Sequence, residues 1–436
     1  MGAVLGYAYH ASSSQGKSDE DEDEDKFSSY SQTRIYRRAS APSECLEELV
    51  IPSFPKSGVV IGMDIGGTLA KIAICFSPQQ TKMASKLKAF LDSQDRYGET
   101  GRRDKKYDFQ LEDGAAVVFV KFESSRTLDG IELIKQNKLI SVQTSVACTG
   151  GGAVKFNSAF QNQLRLGWHE VDEMQALVSG ITFLIQHVPK SIFAFDHSSE
   201  DAVATKKYLK VGEGSRYPCL LVNVGSGVSI LHLESRTKYR RVGGSSSGGA
   251  TFFGLAKIIS ECKTWKEALD LARNGDSKKV DLLVGDIYGG HYTKLGLKAD
   301  TIAAYFGKLA RIDREQVTKE DLMAALLKLI TYTIGNTAFL YARIYAPKDV
   351  IFTGNFLRDN DLAKSKINFM VRRLSEGKIN TLFMEREGYY GALGAMLHAK
   401  HPKEEDCPRS RDSGDAKSPV LETKGDRPEP KLEAGC

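Results

Sequence analysis

Two glycine hairpins of the same design restrict what this chain can become. An apolar run beginning at Val59 breaks at Met63-Asp64-Ile65-Gly66-Gly67-Thr68 and resumes through Leu69, Ala70, Ile72, Ala73 and Ile74. That pattern predicts strand, glycine turn, strand. Adjacent glycines let the backbone take conformations closed to other residues and bring N–H groups up to phosphate oxygens. Thr68 adds a hydroxyl, Asp64 suits a hydrated Mg²⁺, and Lys71 supplies a point charge. The order recurs from Cys219 to Leu231, with Gly225-Ser226-Gly227 as the turn and Asn223 standing where Asp64 stood. One such turn is an ordinary hairpin. Two predict a duplicated molecule in which each half grips phosphate. A third element, Asp349-Val350-Ile351-Phe352-Thr353-Gly354-Asn355, reads as a buried strand entering a glycine turn, where a nucleoside can lie against backbone.

These three elements, in this order, resemble the sugar kinase, actin and Hsp70 superfamily. The resemblance implies an α/β chain with a two-lobed, actin-like ATPase (ribonuclease H-like) fold and ATP in the interlobe cleft. It narrows at Gly62–Leu69, Cys148–Ala153, Val222–Ile230, Gly285–Gly290, Gly354–Arg358 and Glu387–Ala395. Over residues 58 to 398 these motifs resemble the eukaryotic (type II) pantothenate kinases. The implied activity is ATP-dependent phosphorylation of pantothenate to 4′-phosphopantothenate, the first step of coenzyme A biosynthesis. A catalytically weak sensor of acyl-CoA or nucleotide in the same family, and a related sugar kinase, are the alternatives.

Length and composition fit two folded units with tails. Residues 1–57 run Ser-rich, acidic, then basic, and read as a disordered leader; residues 401–436 read as a disordered tail. Between them an N-terminal lobe is expected over 58–210 and a C-terminal lobe over 211–400. Sixty basic against 55 acidic residues, a net charge of +5, give no nucleic-acid footprint. The seven cysteines lack C-x-x-C spacing, which suggests neither a disulfide framework nor a zinc site. The histidines show no H-E-x-x-H or i, i+4 pairing. No apolar run reaches the length of a membrane span. Seven acidic residues from Asp19 to Asp25 disfavour organelle import, so a cytoplasmic protein is expected, with a nuclear pool open. Arg37-Arg38-Ala39-Ser40 has the look of a protein-kinase substrate string, a pattern that chance also produces.

Phosphoryl transfer needs charge stabilisation, alignment and a carboxylate to take the proton of the attacking hydroxyl. After Trp168-His169-Glu170-Val171, the acids Asp172 and Glu173 precede Met174, Leu177, Val178 and Ile181 at helical spacing. Both then fall at a helix N-terminus, where the dipole favours ionised carboxylates. On spacing alone, simple charges at a helix N-terminus are the preferred reading of both acids. The resemblance assigns the base to Glu173, acting on the primary hydroxyl of pantothenate, and leaves Asp172 as a cap. It also implies ATP contacts at Asp64, Gly66, Gly67, Thr68, Lys71, Gly225, Gly248, Gly249, Thr251, Gly354 and Asn355, with Mg²⁺ reached from Asp64 through water. Ser226, Ser229, Arg241 and Gly151 are implied for pantothenate, or for an acyl-CoA feedback inhibitor, and a homodimer is implied. Arg241 also reads as one of a solvated run, Lys238-Tyr239-Arg240-Arg241. The pattern is broken at Ser247, where an aliphatic residue is expected, and at Ala250, where glycine is expected. Arg373-Leu374-Ser375 stands where an aromatic is expected beside acyl-CoA.

Overall fold

The computed structural model describes residues 58–67, 69–93, 101–111, 113–141, 144–164, 169–196, 205–210 and 217–399. The expected leader, the tail and the ATP contact expected at Thr68 lie outside the described residues, as does Ser40.

The first sheet is built from β1 (Val59–Ile65), β2 (Leu69–Phe76), β3 (Arg102–Arg103), β4 (Phe109–Gln110), β5 (Ala116–Glu123), β6 (Ser145–Thr149) and β7 (His169–Glu170). Its order is β3-β5-β2-β1-β6-β7, with β4 also on β5. The second contains β8 (Ile192–Phe195), β9 (Lys206–Tyr208), β10 (Cys219–Val224), β11 (Val228–Leu233), β12 (Tyr239–Ser245), β15 (Asp349–Thr353) and β16 (Asn380–Met384). Its order is β12-β11-β10-β15-β16-β8-β9. A two-stranded ribbon of β13 (Leu282–Leu283) and β14 (Ile302–Ala304) lies apart.

The two large sheets repeat one plan. In each, a central strand (β1 or β10) pairs antiparallel with its hairpin partner (β2 or β11), and that partner pairs antiparallel with a further strand (β5 or β12). On the other side come two strands in parallel succession, β6 then β7, or β15 then β16. The register repeats as well: Asp64 lies opposite Lys71 and Thr149, and Asn223 opposite Ser229 and Thr353. This is the ribonuclease H-like plan used twice, the actin-like ATPase fold. The central strands are near-continuous apolar runs because helices cover both faces.

The described residues include ten α-helices: α1 (Thr81–Ser93), α2 (Thr127–Gln136), α3 (Gly152–Leu164), α4 (Glu173–His187), α5 (Gly249–Ser260), α6 (Trp265–Asn274), α7 (Val284–Tyr288), α8 (Lys319–Tyr345), α9 (Asp361–Ser375) and α10 (Tyr390–Leu397). A capping box at Thr318 and Asp321 starts α8, and Ala346 in the left-handed region ends it before Pro347. This 27-residue helix is apolar enough to cross a membrane by length and composition, but its apolar window is 72% buried. Met323, Leu326, Leu327 and Ile330 sit in the core of the second sheet, so α8 is a core helix.

Sheet membership divides the chain otherwise than at residue 210. β8 and β9 precede that boundary yet extend the second sheet through β16. Conversely α10, near the end of the described chain, packs on α4 and β1 of the first sheet. Small residues permit this: a Cβ at Gly394 would lie 1.7 Å from the Ala176 carbonyl oxygen, and one at Gly180 would lie 2.1 Å from that of Tyr390.

Candidate active site

At the end of β1, Asp64 faces Lys71 across the hairpin, with Lys71 Nζ 3.3 Å from Asp64 Oδ2. The turn between them is fixed from both sides: the Gly66 N–H donates to the Leu69 carbonyl at 3.0 Å, and Ser124 Oγ donates to the Gly66 carbonyl at 2.6 Å. Neither Gly66 nor Gly67 has a positive φ, so the turn does not use the left-handed freedom that its adjacent glycines offer. A Cβ at Gly67 would meet nothing within 4 Å, so its absence opens the turn to whatever approaches from outside.

The left-handed glycines stand one strand away. Gly150 follows β6 with φ +85°, and Gly354 follows β15 with φ +114°, at equivalent points of the two sheets. A Cβ would come within 2.8 Å of the Ile65 carbonyl oxygen at the first and 2.3 Å of the Val224 carbonyl oxygen at the second. Here only glycine fits, on both conformation and space.

In the second half the Gly225 N–H donates to the Gly227 carbonyl at 2.9 Å, closing the turn. The first residues of α5 sit on it: the Gly249 N–H donates to the Gly225 carbonyl at 2.9 Å and the Ala250 N–H to the Ser226 carbonyl at 3.0 Å. Gly248 packs on Ser226, and Gly249 lies over Phe356, just beyond Gly354 and Asn355. Thr251 Oγ1 is committed to the Ser246 carbonyl at 2.9 Å. These turn, helix and strand ends therefore form one patch. Ala250 is an exposed helical residue with negative φ, so glycine is not required there.

Asp172 caps α4, its Oδ1 accepting from the N–H groups of Met174 at 3.0 Å and Gln175 at 2.9 Å. Glu173 is the first helical residue. Its pKa is raised, chiefly by burial of its carboxyl and then by Asp64 and Asp172, with Lys71 opposing. The helix dipole was expected to favour the ionised form; desolvation and two acidic neighbours outweigh it. Glu173 thus feels the charges of both members of the Asp64–Lys71 pair.

On the second sheet Arg241 Nε donates to Ser229 Oγ at 3.2 Å, joining two of the residues implied for the acceptor. Arg240, its neighbour along β12, instead covers the Tyr345 ring at 5.3 Å, as alternation along a strand requires. Ser226 and Gly151 are exposed, and a Cβ at Gly151 would meet nothing within 4 Å. Arg373, near the end of α9, donates from Nη2 to Thr301 Oγ1 at 2.8 Å.

Residues 386–391 connect the halves, and of this stretch the sequence displayed a motif without a role. Arg386 Nη1 donates to the Tyr107 carbonyl at 2.6 Å. Glu387 Oε2 accepts from the Gly354 N–H at 2.7 Å and from Thr353 Oγ1 at 3.0 Å. Gly388 lies against Asn355 and Arg358, the Tyr389 hydroxyl donates to Asp104, and Gly391 lies against the Asp64 carboxylate. Four residue steps separate Glu387 from Gly391, at most about 14 Å of chain. The nucleotide turn of one half and Asp64 of the other thus meet a single short segment. Among the described residues no group of three His, Cys, Asp or Glu side chains could hold a metal ion, and the four described cysteines are buried thiols.

The duplicated sheets and paired turns define an actin-like ATPase fold. The chain belongs to the Fumble family, the type II pantothenate kinases, whose family model matches residues 60–398. It is 35% identical over 359 residues to pantothenate kinase 2 of Oryza sativa subsp. japonica, covering 78% of this chain and 38% of that protein. It is 36% identical over 340 residues to 4′-phosphopantetheine phosphatase of Mus musculus, covering 77% of this chain and 40% of that protein. Pantothenate kinase 1 of Arabidopsis thaliana is 34% identical over 355 residues, with 77% and 84% covered. The chain spans about two fifths of the length of the first two. Among solved structures, a ROK family glucokinase from Streptomyces griseus aligns with a TM-score of 0.40 at 14% identity, covering 78% of this chain and 99% of that one.

Proposed function

We infer that the protein transfers the γ-phosphoryl group of ATP to the primary hydroxyl of pantothenate, giving 4′-phosphopantothenate for coenzyme A synthesis. The observation that carries this reading is the half-buried Glu173 carboxyl, carried on an exposed residue at the start of α4 and near enough to Asp64 and Lys71 to feel both charges. A carboxylate there is suited to take the hydroxyl proton, while Lys71 stabilises charge on the transferred group. The turns at Gly66–Gly67 and at Gly225 are open backbone surfaces suited to a triphosphate, and the close-packed Gly248, Gly249 and Gly354 bring the exposed Asn355 up to the second turn, where it suits the nucleoside. Arg241, positioned by Ser229, offers a guanidinium to the pantothenate carboxylate. A lone carboxylate such as Asp64 fits Mg²⁺ arriving on nucleotide, which keeps most of its waters; when bound, that ion would screen phosphate charge. The family membership supports the substrate, as do the names of the rice and Arabidopsis relatives.

The same reading includes acyl-CoA as a competing ligand of the Ser226, Ser229 and Arg241 face, a homodimer, and a cytoplasmic protein with a nuclear pool. The experiment is phosphorylation of pantothenate by the purified full chain under saturating Mg–ATP. Glu173→Gln should lower kcat by about 10²–10⁴-fold while nucleotide binding persists. A wild-type protein inert with pantothenate would overturn the reading.

A further inference from the structure

Glu387 is 1% exposed and has no part in the chemistry described so far. Its Oε2 accepts three hydrogen bonds, from the Gly354 N–H at 2.7 Å, Thr353 Oγ1 at 3.0 Å and the Tyr390 hydroxyl at 3.3 Å. Oε1 makes no hydrogen bond with the described residues. The charged and titratable groups facing it are Lys364 of α9, Tyr390 of α10 and Tyr107 from the turn after β3. Burying a carboxyl with one oxygen unbonded is costly, and a glutamate at such a point is unusual unless its bonds fix something. What they fix is the peptide leading into Gly354, whose φ of +114° only glycine tolerates, and on whose far side Asn355 begins the nucleotide patch. The third bond fixes Tyr390, one residue before the Gly391 that backs Asp64.

We propose that Glu387 is a positioning residue for nucleotide binding: one buried carboxyl oxygen holds the Gly354 turn in its binding geometry and ties it, through Tyr390, to the segment behind Asp64. The proposal rests on the nucleotide patch of the proposed function. Its consequence is a split between substrates, since the Glu387 bonds reach the nucleotide turn and not the Ser229–Arg241 face.

The test titrates Mg–AMPPNP into the full chain by calorimetry and, in parallel, measures KM for ATP and for pantothenate. Glu387→Ala leaves three buried donors without this acceptor and should weaken nucleotide binding about tenfold, raising KM for ATP with KM for pantothenate within twofold. Glu387→Gln keeps an acceptor oxygen at the same point and should recover most of the loss. Thr353→Val removes one donor and should give a smaller loss in the same direction. A purely structural role would instead lower kcat through the active fraction and leave both KM values unchanged. The proposal is overturned if a folded Glu387→Ala protein binds nucleotide as wild type does, or if glutamine gives no recovery. Should the alanine protein not fold, an unchanged nucleotide affinity in Thr353→Val overturns it. A wild type that binds Mg–AMPPNP yet never phosphorylates pantothenate defeats the proposed function alone, and the affinity comparison still decides the role of Glu387.

Discussion

Glu173 must be ionised to accept a proton, yet burial, Asp64 and Asp172 all act to keep the proton on. The acid limb of the kcat/KM profile should therefore lie above the ordinary glutamate range of about 4.3, and Lys71→Met should move it higher while slowing turnover. A profile with its acid limb at or below an ordinary glutamate would contradict the assignment. Glu387 has a different pH signature. Burial pushes its carboxyl up to about 7 against the pull of Lys364 and its three hydrogen bonds. A raised folded pKa means that its contribution to stability is full below the unfolded value and fades as pH rises through 7. Glu387→Gln should remove that dependence, so urea unfolding of the two proteins between pH 5 and 8 should differ in slope by up to roughly 3 kcal/mol across the interval. The cap at Asp172 was legible because its partners lie within three residues. Glu387 was not, because the N–H it serves is 33 residues distant.

Elements show the same division. The glycine hairpins were readable, since an apolar run broken by Gly-Gly or Gly-x-Gly is a local signal. The stretch after Thr81 is rich in Lys, Arg and Asp, a composition that masks its buried face. It forms α1, which buries Ala84, Leu87 and Leu91, and then two short edge strands around the buried Tyr107. The contact of α10 with α4 was invisible, because it depends on two glycines, in separate helices, meeting in space. Gly394→Ala places a methyl group 1.7 Å from a backbone oxygen and should cost about 1–3 kcal/mol in denaturant unfolding. An unchanged midpoint would mean that the helices separate without penalty.

At the scale of the molecule, Asp104 from the first half bonds Arg358 of the second at 2.8 Å and also accepts from Tyr389. Burial pushes the Asp104 carboxyl up, but the Tyr389 hydrogen bond and the Arg358 guanidinium outweigh it and hold its pKa below the usual range. Arg358 also lies over the rings of Tyr107 and Tyr389, at 5.1 and 5.8 Å. Asp104→Ala leaves that guanidinium with only the 3.8 Å approach of the exposed Asp359 carboxylate, and should lower stability by about 1–3 kcal/mol; an Arg358→Met partner mutation should restore part of it. Additivity of the two losses would show that the residues act independently. The position of α10 carries a further implication. While the chain emerges from the ribosome, β1 and α4 appear early, but the helix that covers them is translated only after the whole second sheet. The first half must therefore wait, with Gly62 and Gly180 exposed, until the ribosome has passed Leu397, so premature termination before Tyr390 should yield a chaperone-bound or degraded product even though every strand has been made.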